Sequence, residues 1–148
     1  MGIRNIDLKL INFFNKVSVP AARIGLFVIF FWFGALKVFG LSPASSLVES
    51  LFERTFPFMA FSSFIVFFGL FECLIGILFL IKGMERLVMP ILLLHMFLTF
   101  LPLFMLPQLA WNGFLVPSLE GQYIIKNLAI IASAIAIVSH LRPISDFR

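Results

Sequence analysis

Four long apolar segments constrain the fold of this chain more than any other feature of its sequence. They cover residues at about 21–40, 58–81, 87–106 and 122–141. Each is about twenty residues long, which is the length of helix that crosses the ~30 Å hydrocarbon core of a bilayer. Because lipid satisfies no backbone hydrogen bonds, such segments must be helical. The sequence therefore predicts an all-α integral membrane four-helix bundle, with residues 1–148 as a single membrane domain.

The composition supports a lipid bilayer as the main partner of the chain. Hydrophobic residues make up 61% of the sequence and charged residues 12%, whereas a soluble domain averages about 25% charged residues. The net charge of +4 does not indicate a nucleic-acid partner, because the basic residues cluster beside the apolar segments. The single cysteine excludes an intrachain disulfide and a cysteine-based zinc site, and no metal site or catalytic residue is predicted.

Two shorter amphipathic helices are predicted outside the spans. Residues 5–17 place apolar and polar side chains on opposite faces at helical spacing, which is typical of a helix lying in the membrane interface. The apolar face holds Ile6, Leu10, Phe13, Phe14 and Val17. Ser18 and Pro20 then predict a new helix start for the first span. Residues 43–54 predict a second short helix on the far side of the membrane.

The distribution of basic residues predicts the orientation. With four spans, the N-terminal segment, the 82–86 turn and the C-terminal tail share one side of the membrane. Eight of the eleven Lys and Arg residues lie there: Arg4, Lys9, Lys16, Arg23, Lys82, Arg86, Arg142 and Arg148. Because cytoplasmic loops carry an excess of Lys and Arg, both termini are expected in the cytoplasm.

Four charged or titratable residues lie deep inside the apolar segments, each in a different span: Lys37, Glu72, His95 and Lys126. A charge at the bilayer centre costs about 2.5–3.5 kcal/mol on insertion scales, so such residues usually face the bundle interior. At 1.5 Å per residue, Glu72 and His95 lie roughly 14–15 Å deep, near the midplane. The two lysines lie level with each other at roughly 21 Å. Small residues share the face of Glu72 (Gly69, Cys73 and Gly76) and the face of Lys126 (Ala129, Ser133 and Ala136), and such faces permit close helix approach. We therefore expect these faces to point inward and the four side chains to meet in one polar site.

Alternatives remain open for three of these residues. Lys37 and Lys126 can instead extend to the far interface, since long side chains place their charge in water when they are near a helix end. His95 can simply donate a hydrogen bond between helices. Glu72 has no such route, so it must be paired, protonated or hydrated. A Glu–His–Lys group beside aromatic rings can bind a carbonyl oxygen and exchange protons, which favours a quinone over haem or a metal as the cofactor.

Three stretches resemble DoxX-like membrane proteins, most closely their YkgB (RclC) branch. They are Arg23–Lys37, with its FWFGALK ending, Phe71–Gly76 (FECLIG) and Leu119–Asn127 (LEGQYIIKN). The resemblance covers about residues 22–140 and implies a four-helix bundle in the bacterial inner membrane. It also implies a link to thiosulfate–quinone oxidation, membrane redox complexes or oxidant resistance. The chain departs from the pattern by its short loop after the first span and its single cysteine.

The resemblance also implies a set of site residues. By position these are Arg23, Trp32, Gly34, Lys37, Glu72, Gly76, Glu120, Tyr123, Lys126 and Asn127. His95 is not among them. Three functions follow as hypotheses: an accessory subunit of redox, oxidant-stress or sulfur metabolism that binds a quinone or a small anion, a small proton- or anion-coupled transporter or channel, and a structural scaffold. The expected partners are a redox protein or further copies of the chain.

Overall fold

The computed structural model describes residues 3–55 and 60–141, and helices dominate both ranges. The elements are α1 (Ile3–Val38), α2 (Ser45–Thr55), α3 (Phe61–Leu80), α4 (Glu85–Phe100), α5 (Pro102–Met105), α6 (Pro107–Ala110), β1 (Trp111–Gly113), β2 (Val116–Pro117), α7 (Leu119–Ile125) and α8 (Asn127–Val138). The two strands pair antiparallel in a small hairpin. The predicted start of the second span at residue 58 lies outside the described residues, as does the tail from residue 142.

Four helical stretches within the described residues are long and apolar enough to cross a membrane, which confirms the predicted all-α four-helix bundle. They are Ile3–Val38, Phe61–Leu80, Glu85–Met105 and Leu119–Val138. The third combines α4 with α5 and the fourth combines α7 with α8. The chain is therefore a multi-pass membrane protein. We call the end with the α3–α4 turn the basic end, and the opposite end the hairpin end.

Helix α1 differs from the prediction because it is continuous from Ile3 to Val38. The expected break before the first span does not occur, and Pro20 lies inside the helix. Ser18 does not cap a new helix; its hydroxyl donates to the Asn15 carbonyl at 3.4 Å. Proline removes one backbone hydrogen bond, and helices that cross membranes tolerate this loss. Residues 3–16 are all exposed, so the N-terminal part of α1 extends beyond the bundle.

Helix α1 ends at a glycine and α2 follows at the hairpin end. Gly40 has a φ of 68°, and the Leu41 amide donates to the Leu36 carbonyl at 2.8 Å, a common glycine-based helix termination. The structure confirms a short helix near 43–54. It packs on the bundle through Phe52, whose ring stacks on Phe64 at 4.5 Å.

Helices α1 and α3 make the closest contact in the bundle, as the small residues of the second span predict. A Cβ atom built on Gly34 would lie 2.5 Å from the Gly69 carbonyl oxygen, and one built on Gly76 would lie 2.9 Å from the Phe31 amide nitrogen. Small residues permit this approach because they let helix backbones touch. The remaining core is apolar: Leu26, Phe30, Ile75, Phe79, Val88, Leu92, Met96, Ala134 and Ile137.

The hairpin end is closed by short elements that are held by polar contacts. The Trp111 indole donates to the Leu103 carbonyl at 2.9 Å, so the hairpin is fixed to α5. The Ser118 hydroxyl donates to the Leu109 carbonyl at 2.6 Å and accepts from the Gly121 amide at 3.1 Å. Ser118 is thus the N-cap of α7, and the fourth span begins three residues before its predicted start at 122.

Candidate functional site

Three of the four predicted residues meet in a buried polar cluster, which consists of Lys37 on α1, Glu72 on α3 and His95 on α4. The Lys37 Nζ donates to Glu72 Oε2 at 2.6 Å, and His95 Nε2 lies 3.5 Å from Glu72 Oε1. All three residues are buried, with exposed fractions of 6%, 6% and 3%. One carboxylate oxygen of Glu72 therefore faces the Lys37 ammonium on α1, and the other faces the His95 imidazole on α4.

The glycine contact between α1 and α3 explains why the ion pair forms. Lys37 lies three residues after Gly34, and Glu72 lies three residues after Gly69. Residues at this spacing stand on the same helix face. The close backbone approach at the two glycines therefore brings the lysine and the glutamate together. Cys73 packs at the same contact, and its thiol lies 3.4 Å from the Phe31 carbonyl.

Aromatic rings surround the imidazole of His95. The ring centroids of Phe30, Phe68 and Phe71 lie 5.5, 5.2 and 6.0 Å from that of the imidazole. The Lys37 ammonium lies 5.6 Å from the Phe68 centroid, within the range of a cation–π contact. The cluster therefore has a polar centre and an apolar, aromatic wall.

The Nδ1 atom of His95 is buried and has no hydrogen-bond partner among the described residues. Buried polar atoms in native proteins are almost always paired. Because the Glu72 carboxylate accepts hydrogen bonds only, we assign the imidazole proton to Nε2, which leaves Nδ1 as an acceptor. The cluster thus offers one acceptor that the protein itself leaves unused.

Lys126 was expected in the same site, and this expectation is wrong. It lies at the junction of α7 and α8, its side chain is exposed, and its Nζ lies 4.0 Å from the Tyr123 ring centroid. The physical reason is that Lys37 and His95 already occupy both oxygens of Glu72. A second buried lysine would have no counter-charge there, so Lys126 extends outward, as long side chains do near helix ends.

The fourth span also turns a different face inward from the one predicted. Ala129 and Ala136 were expected on the interior face with Lys126, but both are exposed. Ala134 and Ile137 are buried instead, at 0% and 1% exposure. The predicted face was chosen because it holds Lys126, and that residue is itself exposed, so the error in the face follows from the error at Lys126.

The remaining residues implied by the resemblance do not join the cluster. Trp32 and Tyr123 are exposed at 63% and 59%; Glu120 is exposed and Asn127 half-buried. Arg23 lies at the basic end, where its guanidinium forms an ion pair with Glu85 and donates to the Phe79 carbonyl at 3.0 Å.

Glu85 was not identified from the sequence, where it appeared as part of a charged turn. It begins α4 and is 3% exposed. Its pairing with Arg23 joins α1 to the start of α4. The available signal was that both residues lie at the same end of the predicted bundle.

Within residues 3–55 and 60–141, no group of three or more His, Cys, Asp and Glu side chains could hold a metal ion. The fold and the site together define a multi-pass helical membrane protein with a buried Lys–Glu–His cluster. Comparisons with protein-family models, with curated proteins and with solved structures found no match for this chain.

Proposed function

We propose that the protein is a DoxX-like accessory subunit of a redox system, and that its polar cluster binds a quinone in its reduced, quinol form. The resemblance supports the family at Lys37 and Glu72, two residues that also form the buried ion pair. A quinone is an apolar molecule with two ring oxygens, so it suits a polar centre with an aromatic wall. The redox system is one of oxidant defence or sulfur metabolism, as the resemblance implies.

The observation that carries this proposal is the unused acceptor on His95. A quinol hydroxyl donates to Nδ1, and the Nε2 proton stays shared with Glu72, so the imidazole can pass a proton between ligand and carboxylate. The cluster is formally neutral, because one ammonium balances one carboxylate. Without Lys126 it has no excess positive charge, which favours a neutral quinol over the small anion that two lysines would attract.

Access to the cluster is through the aromatic wall. Phe68 and Phe71 are half-buried, so their rings separate the imidazole from the outside of the bundle. A ligand ring from the lipid replaces these contacts when either side chain rotates. We assign the supply of electrons to a partner protein, because the resemblance links the family to membrane redox complexes; this is the reason for proposing an accessory subunit.

The proposed location is the bacterial inner membrane with both termini in the cytoplasm. The basic end carries Lys82 and Arg86 in the α3–α4 region, while the hairpin end carries Glu49, Glu53 and Glu120. This asymmetry supports a cytoplasmic basic end by the positive-inside rule.

The test is the quinone content of the protein purified in mild detergent. We expect bound quinone in the wild type, less than a tenth of it in Glu72→Gln and His95→Phe, and an unchanged amount in Lys126→Gln. Native mass spectrometry of the same samples reports the oligomeric state and any redox partner. Absence of quinone from the wild type, together with unchanged oxidant sensitivity in cells carrying Glu72→Gln, would refute the proposal.

A structural scaffold is the second candidate, favoured by the closed ion pair beside the glycine contact. In this case the Lys37–Glu72 pair fixes the register of α1 on α3 and binds nothing. Glu72→Gln would then lower the amount of folded protein, and activity per folded molecule would stay constant.

A further inference from the structure

The N-terminal part of α1 extends well beyond the four-helix bundle. We call residues 3–17 the arm. Helix α1 has 36 residues, which at 1.5 Å per residue is about 54 Å, or roughly 24 Å more than the hydrocarbon core of a bilayer. The first buried residue of α1 is Leu26. The described part of the bundle therefore leaves the arm uncovered.

The arm exposes a large apolar surface, which is unfavourable for a helix surrounded by water. Its exposed large hydrophobic residues are Ile3, Ile6, Leu8, Leu10, Ile11, Phe13 and Phe14, each at least 47% exposed. Contiguous apolar patches of this kind mark a membrane or protein contact. Something outside the described chain must cover this face.

The charges of the arm indicate what covers it. Arg4, Lys9 and Lys16 are basic and Asp7 is acidic, so the arm carries a formal charge of +2. An apolar face beside basic side chains is typical of a helix that lies on an anionic membrane surface. The arm is also covalently joined to a membrane-crossing helix, so it starts at that surface.

We propose that the arm binds anionic lipid headgroups at the basic end, with its apolar face in the acyl boundary. The proposal requires α1 to bend between arm and span when the protein is in a membrane, and we place this bend at Pro20, because proline leaves one carbonyl of the preceding turn without its amide partner. The arm thereby recognises the charge of the membrane independently of the buried cluster.

A second copy of the chain is the main competing occupant. Ile3, Ile6, Leu10, Phe13 and Val17 have the spacing of a coiled-coil seam. That seam spans only two heptads, whereas coiled coils are read from at least about three. It also leaves Ile11 and Phe14 at the edge of the seam, where a lipid surface covers them better; Leu8 lies on the polar face with Asn12.

The test places an environment-sensitive fluorophore on the arm of the full-length protein in nanodiscs. The labelled site is Leu10→Cys on the apolar face, with Asn12→Cys on the polar face as the matched control, both in a Cys73→Ala background. The nanodiscs contain phosphatidylcholine alone or with phosphatidylglycerol. Spin-labelled lipids quench the fluorophore where it enters the membrane.

We expect several-fold stronger quenching at Leu10→Cys than at Asn12→Cys, and only when phosphatidylglycerol is present. Combining Lys9→Gln with Lys16→Gln should lower the bound-to-free ratio of the arm about fivefold per lysine, and high salt should do the same. Equal quenching at both sites, or quenching that ignores lipid charge and the lysines, would overturn the proposal. Efficient disulfide formation between two Leu10→Cys copies would instead assign the face to a second chain.

Discussion

Removing the carboxylate of Glu72 while keeping the ammonium of Lys37 tests the central ion pair directly. The two side chains are joined by a 2.6 Å hydrogen bond and are only 8% and 7% exposed. Glu72→Leu therefore leaves a buried charge without its partner. Loss of one member of a buried pair costs about 3–5 kcal/mol. A lone charge in a membrane interior costs about 2.5–3.5 kcal/mol on insertion scales, so the two figures agree in size.

The double variant distinguishes a true pair from two independent effects. In Lys37→Met with Glu72→Leu both charges are gone, and apolar side chains of similar volume fill the same space. Replacement of a buried ion pair by apolar residues is often neutral or stabilising. We therefore expect the free energy of unfolding of the double variant to lie within about 2 kcal/mol of the wild type. This loss of stability is far smaller than the sum of the losses in the two single variants.

The measurement is equilibrium unfolding in mixed micelles, followed by tryptophan fluorescence. The matched control combines Glu72→Leu with Lys126→Met, where the structure shows no contact; these losses should add to within about 0.5 kcal/mol. Additive losses of stability for Lys37→Met and Glu72→Leu would refute the ion pair. Strong coupling between Lys126→Met and Glu72→Leu would place Lys126 beside Glu72, as the sequence predicted, and would contradict the structure.

Two further predictions concern the packing of the helices. Gly34→Ala places a Cβ 2.5 Å from a backbone oxygen of α3 and should lower the free energy of unfolding by about 1–3 kcal/mol. Gly25→Ala meets nothing within 4 Å and should raise the free energy of unfolding by about 0.5–1 kcal/mol. The same unfolding assay compares the two variants. Glu85→Gln leaves Arg23 without its counter-charge and should cost about 1–3 kcal/mol, while Lys82→Gln, at an exposed position, should change stability by less than about 0.5 kcal/mol. Equal effects within either pair would contradict the contacts described here.

The sequence predicted the spans and the close-contact face of the second span because both depend on local, periodic signals. Apolar length defines a span by itself, and the small face around Gly69 and Gly76 identifies a helix contact without knowledge of its partner. The pairing of Lys37 with Glu72 was also accessible, since depth along the helix is a simple function of residue number. Depth alone could not decide which lysine would take the glutamate.

The incorrect expectations arose where a local pattern does not determine the outcome. Pro20 and Ser18 form a good helix start, yet the helix continues because one lost hydrogen bond is tolerated in a membrane-crossing helix. Lys126 has a suitable depth, but depth does not report the direction in which a side chain points, and Lys126 is exposed. The Arg23–Glu85 pair depends on how the α3–α4 turn folds against α1, which no periodicity reports.

The position of Lys126 changes the chemistry of the site more than its geometry. Two lysines with one glutamate would give a positive site suited to an anion, and a ligand would then be needed to balance the charge. With Lys37 alone the carboxylate is balanced within the protein. Within the cluster, and among the described residues, the buried atom left without a partner is His95 Nδ1, which calls for a hydrogen-bond donor, whereas a fully deprotonated anion offers only acceptors. A neutral hydroxyl-bearing ring meets this requirement and a small anion does not, so replacing quinol by its dimethyl ether should abolish binding if Nδ1 is the contact.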